Sequence, residues 1–428
     1  MTSGAEVAVA LAGTGAVVSE AGPADAVGGV APACVAYPGT VQQAAGVVHA
    51  AASLGMSVVP RGSGRTISWG PPPARCDVVA DMTRMDRILE HAAGDLVVSA
   101  EAGVTLGHLG KVLAEKGQRL ALDGPAAATV GGVVATGAAG PLRLRYGTPR
   151  DLLIGITVVR PDGRVAHSGG KVVKNVAGYD IGKLFAGSLG TLGLITGATF
   201  RLHPLAGLTG YVTGEYDGTP AAAEAVLAAA SSPLQASATE IDRPAPGAPV
   251  RVGILLEGTP SGISERAERM TGVLGPGAQT ALVPPEWWGQ RGEAADGPVS
   301  GTLIRVAFWA AELRQILDAI DVVAVHAGVA PAVGGSGGAG VLYVSLDAAE
   351  DADQVAVFVR ALRAATGHGG DDPSALARGS VVVLTAPGAV QASVDMWGPV
   401  PALALMRAVK RQFDPGNTMA PGRFAGGI

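Results

Sequence analysis

The apolar positions of this chain fall into short runs separated by glycine, proline and polar residues. Val41, Ala44, Ala45, Val48 and Ala52 share one helical face, and Thr40 stands at the N-cap position. The spacing therefore predicts a helix over 41–54 that Gly55 ends. Apolar runs of strand length occupy 56–60, 76–81 and 95–100, with a connection at 84–91. Thr105 caps an amphipathic helix over 105–116, which Gly117 stops. Apolar stretches at 152–160 and 192–200 read as buried strands, and Pro161-Asp162-Gly163 supplies the turn of a hairpin with 164–167.

Beyond Pro204 the elements alternate. The pattern predicts strand 211–216, helix 219–230, strands 235–241 and 250–257, and helix 261–274. Strand 302–308, helix 310–319, strands 321–327 and 341–346, helix 348–364 and strand 380–385 repeat the order. Two β-α-β-β-α-β patterns imply a duplicated α+β unit, or one antiparallel sheet backed by helices. In this reading His326 is a core residue on a strand, and Gly334–Gly340 is a flexible loop. Residues 1–30 lack clean periodicity and read as a loose leader. The last helix covers 401–412, and Phe413-Asp414-Pro415-Gly416-Asn417 terminates it.

Length and composition sharpen this picture. At 428 residues the chain exceeds the roughly 250–300 that one core supports. The expected division is a leader at 1–30, an α+β domain at 31–205, an α+β cap at 206–395 and a segment at 396–428 that packs back on the first domain. Hydrophobic residues at 48% against 16% charged indicate a folded protein. A net charge of -5 without basic stripes gives no footprint for nucleic acid. Two cysteines, Cys34 and Cys76, are too few for a thiolate metal cage and read as buried thiols. With no apolar run of membrane-spanning length and no basic signal region, the expected location is cytoplasmic.

The chemistry concentrates between Asp123 and Leu202, where glycines cluster at strand ends. Such glycines mark tight turns or backbone brought against a bulky planar ligand, and spacing alone leaves both open. Arg61-Gly62-Ser63-Gly64-Arg65-Thr66 follows a strand, as a loop whose amides converge on phosphate does, with Arg61 or Arg65 to neutralise charge. It is not a dinucleotide fingerprint of the Rossmann kind: Ile67 replaces the third glycine and Pro71-Pro72-Pro73 precludes the helix. No Gly-Lys-Ser or Gly-Lys-Thr follows it either.

Pro60 to Gly64, Thr129-Val130-Gly131-Gly132, Arg145-Tyr146-Gly147 with Asp151, Lys174 to Asp180, Gly187 to Thr196, Phe413-Asp414-Pro415 and Pro421-Gly422-Arg423 occur in family order. In these segments the chain resembles the FAD-linked oxidases of the vanillyl-alcohol oxidase (PCMH) type. It is most similar to the E-subunit branch of bacterial glycolate oxidases, through Gly137 to Pro141, Gly169-Gly170-Lys171 and Lys174 to Asp180. The resemblance implies an α+β fold: a PCMH-type FAD-binding domain of two α+β subdomains, plus a cap with an antiparallel sheet. Carried over by position, Pro60, Arg61, Gly62, Ser63, Gly64, Arg65 and Thr66 cradle the pyrophosphate of FAD. Pro125, Thr129, Gly131, Gly132, Thr136 and Gly137 line the ribityl and flavin side. Asp151, Gly190, Thr191, Gly193 and Ile195 hold adenosine and ring-edge atoms, and Tyr146, Gly147 and Asn175 complete the set.

Arg423, Arg145, Lys174 and Tyr179 are the catalytic candidates, because a 2-hydroxy acid needs a cation for its carboxylate and a base for its hydroxyl. Residues 60–70 contain no histidine and 124–150 neither histidine nor cysteine, so dissociable, non-covalent FAD is expected. Hydroxy-acid dehydrogenases of this type carry a His-Gly-x-Gly-Asn-x-His segment, and Val333–Leu342 here has no histidine. Ala420 also replaces the usual asparagine. These departures match the E-subunit branch, whose partners are a catalytic flavin subunit and an iron–sulfur subunit. The resemblance thus implies oxidation of glycolate or a related 2-hydroxy acid, alone or within such a complex, or a flavin-bearing assembly subunit without turnover.

Overall fold

Four β-sheets organise the chain in the computed structural model, which describes residues 4–170, 180–290, 300–367 and 379–428. Lys174, Asn175 and Tyr179 lie outside the described residues. Packing divides the chain into one unit of Met1–Ala139, Thr148–Leu205 and Val400–Ile428, and a second of Gly140–Gly147 and Ala206–Pro399.

The first unit holds two α+β layers. In its four-stranded sheet Cys34–Tyr37, Val78–Asp81 and Val58–Arg61 run parallel, and Val17–Glu20 adds an antiparallel edge. Its five-stranded sheet is antiparallel, ordered Ile88–Ala92, Val97–Glu101, Leu194–Arg201, Leu153–Val159 and Val165–Gly169. The last pair is the hairpin expected from Pro161-Asp162-Gly163. Thr40 and Thr105 cap their helices as expected, each hydroxyl accepting an N–H from the first turn. One apolar core serves both sheets, joining Val58 and Val78 to Val98, Ile156 and Leu194.

Residues 4–30 are not a loose leader. Gly4–Ala12 is a helix whose Val7 and Leu11, one turn apart, are buried in that core, and the strand Val17–Glu20 pairs with Cys34–Tyr37. The stretch is too short and too rich in small residues for its periodicity to show.

The second unit is built on one eight-stranded antiparallel sheet. Its order is Gln279–Ala281, Leu208–Tyr216, Val250–Gly258, Ala238–Arg243, Ala332–Ser336, Val341–Leu346, Thr302–Phe308 and Gly379–Thr385. The first four strands, read inward, have the same chain connectivity as the last four read inward. The expected duplicated unit and the single helix-backed sheet are therefore one arrangement. Helices Thr219–Ser231, Pro260–Leu274, Leu313–Ala327 and Ala352–Ala365 bury their apolar stripes in the core on one face.

Two expectations fail here. Residues 321–327 are not a strand but the second half of the helix Leu313–Ala327. Leu313, Ile316, Leu317, Ile320, Val323, Ala324 and Ala327 are buried at helical spacing, whereas Val322 and Val325 are exposed. Full burial of each large aliphatic side chain contributes roughly 1.5–3 kcal/mol, which outweighs the β-preference of the valines. His326 accordingly lies exposed on a helix rather than in the core. The missing strand is Ala332–Ser336, in the glycine-rich stretch expected to be a flexible loop. Its Gly334 and Gly335 are buried between neighbouring strands.

Candidate functional site

The strand Val58–Arg61 delivers the loop beginning at Gly62 to the edge of a cleft. Pro60, Arg61, Gly62, Thr129, Gly131, Gly132, Gly190, Gly193 and Ile195 line it, with Met82, Ala102 and Ala135, which the sequence did not single out. The glycines join these walls. A Cβ on Gly62 would stand 2.1 Å from Thr129 Oγ1, one on Gly131 2.7 Å from Ala102 Cβ, and one on Gly190 2.8 Å from Pro60 Cγ. Their bare backbone is thus required by protein neighbours on one side, while the cleft lies on the other. Gly64 differs: its φ is +77°, and a Cβ there would meet nothing closer than Arg61 Cδ at 3.9 Å.

Within the loop the main-chain N–H groups of Ser63, Gly64 and Thr66 donate no hydrogen bond among the described residues, and neither does that of Gly190. Amides left open beside an apolar cleft suit an anion flanked by a planar body, which is the fit a dinucleotide cofactor requires. The helix Val130–Thr136 contributes packing instead. Val130 N–H bonds Val104, Gly131 N–H bonds Ala102, and the Thr129 hydroxyl accepts from Gly132 N–H.

Several expected contacts are engaged elsewhere. Arg61 donates through Nε to Asp81 and through Nη1 to Asp25, each at 2.8 Å. Burial works against its charge, but the two carboxylates hold the guanidinium above its ordinary pKa. Its charge is thus neutralised within the protein by Asp25 and Asp81. Asp151 accepts from Thr148 N–H and hydroxyl, capping the turn Pro149–Leu152. Thr136 donates to Gly132 O, Thr191 to Ser188 O, and Gly137 ends its helix at φ +64°. Pro125 is exposed outside the cleft lining.

The tail braces this unit. Arg423, 4% exposed, donates to Ile67 O at 2.5 Å and Trp69 O at 2.6 Å. Burial pulls its pKa down to about 10. It is thus a latch on the loop after Thr66 rather than a group free to meet substrate. Lys410 Nζ donates to Thr191 O, Asp414 Oδ2 and Met419 O at 2.7–2.9 Å, and Met419 bridges in parallel to Val58. Sequence reasoning found Asp414 as a helix stop and within a family-like segment, and missed Lys410, whose partner Thr191 lies far away along the chain.

In the second unit, Arg145 donates to Ser237 and stacks over Tyr146, and Tyr146 donates to Glu257 at 2.8 Å. Tyr146 and Gly147 belong to this unit. Leu142, Ala238 and Leu255 form a cluster with Tyr146, Tyr211 and Trp288 on the sheet face opposite the helices. Trp287 and Trp288 lie against Gly253, with Arg251 over the Trp287 ring.

Residues 32–169, which contain the loop and most of the cleft, match the family model of the FAD binding domain. Across this stretch the chain is similar to FAD-linked oxidoreductases. FAD is the cofactor of that domain. The chain is 34% identical over 171 residues to the Bacillus subtilis glycolate oxidase subunit GlcD, covering 40% of this chain and 37% of that protein. It is 36% identical over 171 residues to an Archaeoglobus fulgidus D-lactate dehydrogenase, covering 40% and 38%. It therefore spans less than half the length of either curated relative. The crystal structure of p-cresol methylhydroxylase superposes with a TM-score of 0.67 at 17% identity, covering 92% of this chain and 89% of that one, which bears out the α+β fold. Among the described residues no helix is long and apolar enough to cross a membrane, and no cluster of His, Cys, Asp or Glu could hold a metal ion.

Proposed function

We propose that this chain is an FAD-dependent oxidoreductase that converts glycolate or a related 2-hydroxy acid to the 2-oxo acid and passes the electrons to a protein acceptor. The observation that carries the reading is the loop of open amides at Ser63, Gly64 and Thr66 beside a cleft whose lining contains no histidine or cysteine. Open amides suit the pyrophosphate. A lining free of both attachment residues suits non-covalent binding. Glycolate oxidase and D-lactate dehydrogenase among the relatives support the substrate class.

In the reaction the alcohol carbon gives up its hydrogen with two electrons and the hydroxyl gives up a proton. FAD, when bound, supplies the two-electron acceptor. Pro60 and Gly62 to Thr66 hold the pyrophosphate side, and Thr129, Gly131, Gly132, Gly190, Gly193 and Ile195 the apolar side. Lys174 and Tyr179 remain the candidates for taking the proton, on their place in the sequence. Asn175 stays a candidate cofactor contact on the same ground. Arg423 and Arg145 act by positioning.

Anaerobic addition of glycolate or D-lactate to the purified FAD-loaded protein should bleach the flavin bands. A second reading is a flavin-bearing assembly subunit of a glycolate oxidase-type complex. It is favoured by Val333–Leu342, a segment without histidine that is built into the sheet. Flavin that stays oxidised with every hydroxy acid unless a catalytic flavin subunit and an iron–sulfur subunit are added would select that reading.

A further inference from the structure

The helix-free face of the second unit's sheet carries a cation that no described carboxylate pairs with. Arg305 lies on the strand Thr302–Phe308, whose Ile304 and Val306 enter the helix-backed core. Strand alternation therefore puts Arg305 on the opposite face. It is half-buried and makes no hydrogen bond or ion pair among the described residues. Its direct cross-strand neighbour is Tyr343, and Arg143 donates to the Tyr343 hydroxyl at 3.3 Å.

Of the carboxylates described on this face, three are engaged, and Glu215 lies across the strand from Arg251 rather than from Arg305. Glu257 accepts from Tyr146, Glu240 from Ser336, and Asp242 from Arg251. Burial pulls the Arg305 pKa down; Tyr343 opposes that pull and the like charge of Arg143 adds to it. A guanidinium taken partly out of water beside a second guanidinium is costly unless an anion joins it. Its planar fork matches a carboxylate in two parallel hydrogen bonds. The next residue in the row, across the strand from Tyr343, is Gly334, which places no side chain there.

We propose that Arg305, with Tyr343 and Arg143 beside it, is the binding site for the carboxylate of a small organic acid, the substrate carboxylate if the proposed hydroxy-acid reaction holds. The site replaces Arg145, the cation singled out from the sequence, which is taken up by Ser237 and Tyr146.

Oxalate, a carboxylate that cannot be oxidised as an alcohol, probes the site by calorimetry on the full-length FAD-loaded protein, independently of turnover. Arg305→Met should weaken oxalate binding at least tenfold, and Arg305→Lys should recover part of it. Tyr343→Phe should weaken it less, and methyl glycolate, which lacks the anion, should not distinguish Arg305→Met from the parent protein. If Arg305→Met fails to fold, as judged by circular dichroism and FAD content, the Lys and Phe variants carry the test. Unchanged oxalate affinity in folded Arg305 variants overturns the proposal, and so does absence of oxalate binding to the parent protein. Tighter binding of inorganic phosphate than of oxalate overturns the carboxylate assignment. Arg305-dependent oxalate binding without flavin bleaching by any hydroxy acid would remove the proposed reaction and keep the site. Bleaching with the same KM in Arg305→Met would remove the site and keep the reaction.

Discussion

Replacing Lys410 by methionine tests the brace under the cofactor cleft. Methionine keeps an unbranched apolar stem and removes the ammonium, so three acceptors lose their donor: Asp414 Oδ2 at 2.7 Å, Thr191 O at 2.8 Å and Met419 O at 2.9 Å. Lys410 is 5% and Asp414 2% exposed, so water cannot take the donor's place. Asp414 still accepts from Thr418 N–H, the Thr418 hydroxyl and Met419 N–H, but its charge is left buried without a cation. Breaking one side of such a pair costs roughly 3–5 kcal/mol. At about 2–4 °C per kcal/mol for a unit of this size, the expected fall in Tm is on the order of 6–20 °C. The Thr191 carbonyl sits between Gly190 and Gly193 of the cleft wall, so FAD retention on gel filtration should fall in the same variant. Lys410→Met/Asp414→Leu removes both charges and should regain most of the lost stability. Thermal and urea denaturation followed with FAD occupancy make the measurement. A Lys410→Met protein within 1 kcal/mol of the parent, with FAD fully retained, would refute the reasoning.

Gly131→Val should destabilise the apoprotein itself by roughly 1–3 kcal/mol, because its side chain overlaps Ala102 whether or not cofactor is present. Gly64→Ala meets no neighbour closer than 3.9 Å and should cost about 1 kcal/mol of backbone strain while weakening FAD binding more than tenfold; equal FAD affinity in apoprotein titrations would show that the loop does not touch the cofactor. Burial pushes the Cys34 thiol up to about 11 and the Cys76 thiol to about 12, so both stay neutral at pH 8; a thiol reagent should modify neither in the native protein and both after denaturation. Asp25 is held below its ordinary value of 3.8 by its Gly22 hydrogen bond and by Arg61. A depressed carboxylate stabilises the fold above its unfolded pKa and loses that contribution as pH falls through the folded value, so Asp25→Asn should flatten the loss of stability below about pH 4; an identical acid limb in urea titrations would contradict the assignment.

Local rules were legible wherever the deciding contacts lie close along the chain. The Thr40 and Thr105 caps and the Pro161-Asp162-Gly163 hairpin depend on neighbours within a few residues, and the structure reproduces them. The duplicated unit was legible because its period recurs, although a run of valines disguised the second half of the helix Leu313–Ala327 as a strand. What the sequence hid is non-local. Nothing near Lys410 announces a carbonyl at Thr191, and nothing near Arg61 announces that Asp25 and Asp81 already neutralise it. The helix Val130–Thr136 was unreadable because its small residues serve close approach to Ala102 rather than an apolar stripe. Arg305 stood in an ordinary apolar strand, and only the register with Tyr343 sets it apart.

The central claim is that the cleft beside the Ser63–Thr66 loop holds FAD without a covalent bond. The direct measurement is the flavin content of the purified chain before and after acid precipitation. One FAD per chain, all of it released into the supernatant, is the predicted result. A colourless protein that takes up no FAD on reconstitution would contradict the account.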